Sequence, residues 1–197
     1  MKQIKAKTPR APRTPRPAKK MTKSLVNRKI GEGFENVIQQ VNDRYLILGK
    51  ARIYKTHAEV KMIRNAEDYN KIDNAFHAGT APPDFVGMLA NGTHLEFETK
   101  TCESYEKGFE LKNVKKHQLD QLHVVRKFKG IAFIMVHFQR LGETYVLTLD
   151  LLDRFEEEVG RKTIPYEWIR ENALRAGFGN GVTFDFLGAL EGAGVIS

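Results

Sequence analysis

The sequence predicts a mixed α/β fold in which helices flank a sheet. Residues 31–43 repeat apolar side chains along one helix face, residues 84–101 alternate around an Asn-Gly turn signal, and residues 131–138 form a near-continuous apolar run. These patterns are typical of an amphipathic helix, a β-hairpin and a buried strand, respectively. The body outside the basic N-terminal segment has about 165 residues, which is enough for one domain with a real core.

The remaining elements follow from the same patterns. Residues 46–56 predict a strand, and the polar residues 57–82 lack a clear period and predict an insertion that projects from the body. Further along, the patterns predict a helix at residues 113–127 that is capped by Asn113, and a strand at residues 144–149. Two helices, at residues 150–159 and 165–173, close the domain, and Pro165 suits the first turn of the second.

Positive charge is concentrated in the N-terminal segment. Residues 1–30 hold 11 Lys or Arg and no Asp or Glu, whereas the whole chain has 32 basic and 24 acidic residues, which leaves residues 31–197 with a net charge of −3. Prolines interrupt the segment and large apolar side chains are nearly absent, so residues 1–26 predict a disordered arm. Such an arm suits phosphate backbones, and a solubilising or targeting leader is the alternative. Its candidate DNA-binding cations are Arg10, Arg13, Arg16, Lys19 and Lys20.

Composition narrows the class of protein. Cys102 is the only cysteine, so an intrachain disulfide is excluded and a reducing compartment is expected. No apolar run approaches the length of a membrane span, and the six histidines lack zinc-site spacing. Without a GxxxxGK[ST] motif, the glycine-rich segment 176–197 predicts loop and C-terminal flexibility rather than a phosphate cradle.

Two acids and a lysine carry the strongest chemical signal. Asp84 follows a proline, and Glu98 and Lys100 come 14 and 16 residues later. Converging carboxylates repel each other unless a cation or a proton lies between them, and Mg²⁺ prefers one or two carboxylates plus water and phosphate oxygens. A nearby ammonium can hold water or stabilise developing charge. The pattern therefore predicts a metal-dependent phosphodiesterase site acting on nucleic acid. In the alternative, Glu96, Glu98 and Lys100 are only the solvated face of an amphipathic strand.

The length of the turn decides whether this site can form. With a two-residue turn at residues 91–92, Asp84 would lie opposite Thr99, and the pleat would point Asp84 and Glu98 to opposite faces. With a three-residue turn at residues 90–92 and a left-handed Gly92, Asp84 lies directly opposite Glu98, with Cβ atoms ~5 Å apart. We expect the three-residue turn.

Several segments share motifs with one known family. They are an Asn-Arg pair before the first helix (27–28), an Asp-aromatic-x-Gly segment (84–87) and an acidic strand that ends in Lys (95–100). The loop and helix that follow (109–118) and an Ile-Pro helix start (164–165) also match. On these motifs, residues 27–175 resemble the RecU family of Holliday-junction resolvases, a branch of the PD-(D/E)xK nuclease superfamily. The divergence suggests a remote relative, with a phage as one possible source, and the resemblance implies a location in the cytoplasm of a bacterial cell or a phage-infected host.

The resemblance implies a restriction-endonuclease-like fold and a set of site residues. Asp84 and Glu98 would ligate Mg²⁺, for which Mn²⁺ could substitute, and the Thr99 carbonyl would be a third protein ligand. Lys100 would orient or help to deprotonate the attacking water. Glu35, on the first helix, would approach the metal or its water shell. Gln118 would contact the scissile phosphate or a metal-bound water.

The resemblance also implies the substrate and the assembly. Residues 57–82 would be a stalk that enters the centre of a four-way DNA junction, and a homodimer would cut two strands of like polarity symmetrically, alongside recombination proteins. Candidate DNA contacts of this body are Arg28, Lys61, Arg64 and Lys71.

The chain departs from the family pattern, and other readings stay open. Residues 81–83 stand where threonines are usual, and Glu96 replaces an aspartate. Glu35 could be a solvated helix residue, Gln118 could cap or brace a loop, and Arg64 could keep the stalk soluble. A related nuclease that cuts linear duplexes or ends, and a non-catalytic DNA-binding protein, are the alternative functions.

Overall fold

The computed structural model describes residues 23–57, 60–65, 68, 70–77 and 82–196, with side chains outside 23–28, 60–62 and 73–77. There are five α-helices in these residues: α1 Lys23–Ile47, α2 Lys116–Lys127, α3 Leu149–Val159, α4 Tyr166–Asn172 and α5 Phe186–Gly192. The ten strands in the same residues are β1 Ala51–Lys55, β2 Val60–Arg64, β3 Ile72–His77, β4 Phe85–Leu89, β5 His94–Cys102, β6 Phe109–Glu110, β7 Ile131–Phe138, β8 Glu143–Thr148, β9 Thr163–Ile164 and β10 Leu174–Arg175.

Six strands form the central sheet, in the order β1-β4-β5-β7-β8-β10. Only β5 and β7 pair in parallel within it, and α2 is the crossover that connects them. Two further antiparallel pairs, β2–β3 and β6–β9, lie outside this sheet. The predicted class, a mixed α/β sheet flanked by helices, is confirmed.

Helices cover both faces of the sheet. One core joins α1 and α5 to the sheet through side chains such as Ile38, Phe97 and Leu187, and the other joins α2, α3 and α4 to it through side chains such as Leu122 and Ile134. β5 and β7 are therefore covered on both sides, which explains why the buried run at residues 131–138 is almost entirely apolar.

Several element boundaries differ from the sequence prediction. The first helix is longer than residues 31–43 and runs to Ile47, which shortens the predicted strand 46–56 to Ala51–Lys55. Asn113 as the cap of α2 was wrong, because it ends the 3-10 turn Leu111–Asn113. Lys115 is the N-cap residue instead, and Gln118 accepts the backbone N–H of Lys115 at 3.1 Å.

The prediction of loop and flexibility for the C-terminal glycines was wrong where α5 forms. Asp185 is the N-cap of α5 and is buried, and it accepts hydrogen bonds from the Tyr45 hydroxyl at 2.8 Å and the Gly188 N–H at 3.0 Å. A Cβ at Gly179 or at Gly188 would come within 2.4 Å of the Asp185 carboxylate. These two glycines therefore serve close packing around a buried cap rather than chain flexibility.

The polar segment 57–82 contains a hairpin in its described part. β2 and β3 pair antiparallel with a register shift between Ile63 and Arg64, and they join β1 to β4. The insertion itself is thus a two-stranded element, and its role as a stalk stays a prediction.

None of the described helices is both long enough and apolar enough to cross a membrane.

The approach of β1 to β4 requires a glycine. Gly87→Ala should lower the free energy of unfolding by about 1–3 kcal/mol, because overpacking must separate the strands. The new Cβ would lie 2.4 Å from the Arg52 carbonyl oxygen and 2.7 Å from the Ile53 Cα atom. Gly33→Ala is the matched control: nothing lies within 4 Å of its Cβ, and alanine favours a helix by up to about 1 kcal/mol. Urea unfolding measures both, and a Gly87→Ala protein as stable as the wild type would contradict the close packing.

Candidate active site

The turn between β4 and β5 brings Asp84 opposite Glu98. The Leu89 N–H donates to the Thr93 carbonyl at 2.9 Å, so residues 90–92 form a three-residue loop, and Gly92 has φ of +85°. Phe85 pairs with Phe97 in the next step of the ladder, and Asp84 directly precedes it. The three-residue turn predicted from the sequence is confirmed.

Hydrogen bonds tie the two acids to the same place on the sheet. One carboxylate oxygen of Asp84 accepts both the N–H and the hydroxyl of Thr99, each at 2.8 Å. The Asp84 N–H in turn donates to the Glu98 carboxylate at 3.3 Å. These bonds fix the orientation of Asp84 against β5. A ligand role for the Thr99 carbonyl stays a prediction.

Two donors converge on the other oxygen of Glu98. The ammonium of Lys100 and the amide of Gln118 each donate to Glu98 Oε1 at 2.5 Å. Because Gln118 also accepts the Lys115 N–H, it links the first turn of α2 to the acid. The bracing role considered for Gln118 is observed, and it acts on Glu98 itself.

Burial shifts the protonation of Glu98. Its side chain is 1% exposed, and desolvation together with the negative charge of Asp84 raises its pKa to about 7, although Lys100 opposes the shift. Near neutral pH the site therefore has one carboxylate more than its cations can fully compensate. A hard divalent cation fits this donor set of two carboxylates, because its positive charge would take the place of the proton on Glu98.

The alternative that Glu96 and Glu98 form a solvated strand face was wrong. Both residues are buried, because α2 packs over this face of β5. Glu96 contacts His94 at 2.9 Å and accepts a hydrogen bond from Gln121 at 3.3 Å. Gln118 and Gln121, three residues apart on α2, thus contact two acids that are two residues apart on β5, a pairing that the sequence analysis missed.

Glu35 forms an ion pair with the end of β1. Its carboxylate lies 2.6 Å from the ammonium of Lys55, which is at the end of β1 opposite Phe85. The next residue, Thr56, donates its N–H to the Asp84 carbonyl at 2.8 Å. The sequence analysis did not identify Lys55. The only sequence signal was its position, since it is a cation at the end of a strand that precedes a predicted site. The role of Glu35 near a metal stays a prediction.

Two of the predicted DNA contacts, Arg64 and Lys71, have described side chains. Arg64 ends β2 and Lys71 precedes β3, so both belong to the β2–β3 insertion, and both are exposed. The side chains of Arg28 and Lys61 are not described. The cations of the arm lie outside the described residues, namely Arg10, Arg13, Arg16, Lys19 and Lys20.

A complete metal centre of side chains is absent from the part of the chain that the structure describes. There, no three His, Cys, Asp or Glu side chains are arranged to hold a metal ion. A bound cation would therefore rely on Asp84, Glu98, a backbone carbonyl and oxygens of water or substrate.

Comparison with known proteins identifies the family. The family model described as RecU, recombination protein U, matches residues 29–192. This chain belongs to the RecU family. The match extends to the end of α5, beyond the residues on which the sequence resemblance was based.

Individual relatives agree with this assignment. The Holliday junction resolvase RecU of Streptococcus oralis is 33% identical over 164 residues, covering 80% of this chain and 80% of its own. The protein of the same name from Streptococcus pneumoniae strain Hungary19A-6 is 33% identical over 155 residues, covering 76% and 75%. A solved structure of Archaeoglobus fulgidus Hjc, a Holliday junction resolvase, is 15% identical with a TM-score of 0.43, covering 71% of this chain and 93% of that one. This last likeness is too low to support a conclusion.

Replacing Glu98 by its neutral isostere should change how stability depends on pH. The pKa of Glu98 is raised from 4.5 to about 7 in the folded state, so its contribution to stability is full below about pH 4.5 and is lost as the pH rises through 7. Glu98→Gln removes this loss. In EDTA, we expect the free energy of unfolding of the variant, relative to that of wild type, to rise by about 2–3 kcal/mol from pH 5 to pH 8.

Thermal and urea unfolding at both pH values measure this difference. The control is Glu157→Gln on α3. Because Glu157 is exposed, its substitution should change the free energy of unfolding by the same amount at pH 5 and at pH 8. A constant difference between Glu98→Gln and wild type at pH 5 and pH 8 would show that Glu98 is ionised throughout.

Proposed function

We propose that this chain is a Mg²⁺-dependent, structure-selective endodeoxyribonuclease that resolves four-way (Holliday) DNA junctions by paired symmetric nicks. One observation carries the proposal: Asp84, Glu98 and Lys100 form one hydrogen-bonded cluster on adjacent strands. Membership of the RecU family supports the choice of substrate, because its named relatives are Holliday junction resolvases.

The donor set suits a hard divalent cation. Asp84 and Glu98 would hold Mg²⁺, or Mn²⁺ in its place, with the Thr99 carbonyl as a further ligand. When bound, the ion supplies positive charge at the phosphate and makes water a better nucleophile.

The side chains around the acids have positioning roles in hydrolysis. Water attacks phosphorus, one phosphorus–oxygen bond breaks, and the leaving oxygen takes up a proton. Lys100, which Glu98 holds at 2.5 Å, orients the attacking water and stabilises charge that develops on the phosphate. Gln118 donates to Glu98 and orients its carboxylate, and Glu35, which is ion-paired with Lys55, is the candidate to approach the metal or its water shell.

Symmetric nicking needs two such sites. We propose a homodimer whose β2–β3 insertions contact the junction centre. The candidate DNA contacts are Arg28, Lys61, Arg64 and Lys71. Recognition of this kind reads the shape and the phosphate positions of the DNA before its bases.

Single substitutions at the two acids should separate cutting from binding. Asp84→Asn and Glu98→Gln each remove a carboxylate charge, and we expect the nicking rate on a mobile four-way junction to fall at least 10²–10³-fold (an order-of-magnitude estimate), with junction affinity retained. Glu96→Gln is the matched control on the same face of β5 and should cut within a few-fold of wild type. Gel assays of nicking with Mg²⁺ and of binding in EDTA measure both.

The choice of substrate is tested in the same assay. Equal cutting of a linear duplex and a four-way junction would replace the proposal with a less selective nuclease. Wild-type rates in Asp84→Asn or Glu98→Gln, or no Mg²⁺-dependent nicking at all, would remove the catalytic assignment.

The N-terminal arm is proposed as a phosphate contact. Residues 1–22 contain eight Lys or Arg, so deleting them should weaken junction binding and reduce the slope of log K against log[salt] by up to about 7. The deletion starts the chain at Lys23, where α1 begins, so the described elements are retained. A binding series over salt concentration measures the slope, and an unchanged slope would show that the arm does not contact phosphates.

A further inference from the structure

A basic groove lies beyond the catalytic end of β5. Its volume is about 480 Å³, and among the residues that line it are Tyr105, Lys107, Arg161, Lys162 and Tyr166. The β6–β9 pair connects its two sides, since Lys107 precedes β6 and Lys162 precedes β9. None of these residues is a predicted site residue.

The groove is rigidly built at this pair. Gly108 has φ of +68°, and a Cβ there would lie 2.4 Å from the Ile164 carbonyl oxygen. The Leu111 N–H donates to the Lys162 carbonyl at 2.9 Å. Tyr105 and Tyr166 contact each other edge to face at 5.5 Å. The positions of the two sides are therefore fixed by the backbone and by aromatic packing.

Positive charge exceeds negative charge in the groove, with three cations against two acids among its lining residues. Lys107, Arg161 and Lys162 are exposed, and none of them has an ion-pair partner among the described residues. The two acids that line the groove are engaged: Glu106 with Ser104 and, at 3.9 Å, with Arg140, and Glu167 with Arg170 at 3.0 Å. A cleft with one sign of charge and low-dielectric aromatic walls concentrates its field on an anionic ligand.

The groove lies close enough to the Asp84–Glu98–Lys100 cluster for one DNA arm to contact both. Lys107 is seven residues beyond Lys100, so their Cα atoms lie at most about 25 Å apart. Because one DNA strand advances about 3.4 Å per nucleotide, this span corresponds to no more than about seven nucleotides. A duplex whose scissile phosphate lies at Lys100 is long enough to reach the groove.

We propose that this groove binds the phosphodiester backbone of the DNA arm next to the cut, within about seven nucleotides of it. The inference rests on the proposed function, and it adds a contact surface that is separate from the β2–β3 insertion and the N-terminal arm. Two phosphates, one for each wall, are the expected minimum.

The test compares two double variants of the full-length chain. Lys107→Gln with Lys162→Gln removes one cation from each wall of the groove. The matched control, Lys127→Gln with Lys129→Gln, removes the same charge from exposed positions at the end of α2. That end lies at the start of β5, because a Cβ on Gly130 would lie 3.2 Å from the His94 carbonyl oxygen, so the control is at the opposite end of the strand.

Binding to a synthetic four-way junction in EDTA over a range of salt concentrations gives the readout. We expect the groove variant to reduce the slope of log K against log[salt] by about 1.8, or about 0.9 for each lost phosphate, and the control to leave it unchanged. Equal slopes in both variants, or an unchanged slope in the groove variant, would overturn the proposal. An acidic protein would then be the favoured ligand of the groove. Thermal unfolding confirms that both variants are folded.

Cleavage separates this inference from the proposed function. In single turnovers with saturating protein and Mg²⁺, the groove variant should cut at the wild-type rate, since its residues do not touch the reacting atoms. A normal salt slope with a tenfold slower cut would also overturn the proposal. If the wild type does not cut junctions, the proposed function fails, while the binding comparison still decides the groove.

Discussion

Asp84 faces Glu98 because the loop between β4 and β5 has three residues. Gly92 adopts φ of +85° in that loop, which a residue with a side chain rarely does, and the ladder then pairs Phe85 with Phe97. A slip of one residue would send Asp84 to the other face of the sheet. The candidate active site thus depends on backbone conformation at a position with no chemical role of its own.

The register alone would leave an unfavourable structure, since it places a second carboxylate against a buried one. Glu98 is 1% exposed, and such a group is costly unless it is paired and hydrogen-bonded. Lys100 and Gln118 provide this compensation on one oxygen, and the Asp84 N–H provides it on the other. The remaining imbalance raises the pKa of Glu98 to about 7, and the proposed cation would relieve this cost in stability.

The crossover helix α2 organises the rest of the site. Because β5 and β7 are parallel, α2 must begin near the C-terminal end of β5 and return to its start. This path brings Gln118 over Glu98 and Gln121 over Glu96, and it buries both acids under the helix. The cluster of Asp84, Glu98 and Lys100 lies toward the loop that leads to the basic groove, and the Lys127 end of α2 lies at the other end of β5.

The sequence by itself determined the fold class, the strand at residues 131–138, the three-residue turn and the convergence of Asp84, Glu98 and Lys100, because these follow from local patterns: periodicity, turn chemistry and the spacing of charges. Only the tertiary structure decided which groups meet across long distances in the chain. The pairing of Glu35 with Lys55, the contact of Gln118 with Glu98 and the burial of Glu96 depend on how helices pack on the sheet, which no local pattern encodes. The same holds for the C-terminal glycines: their composition suggested a loop, whereas Gly179 and Gly188 are small because the Asp185 carboxylate occupies the space where their side chains would be.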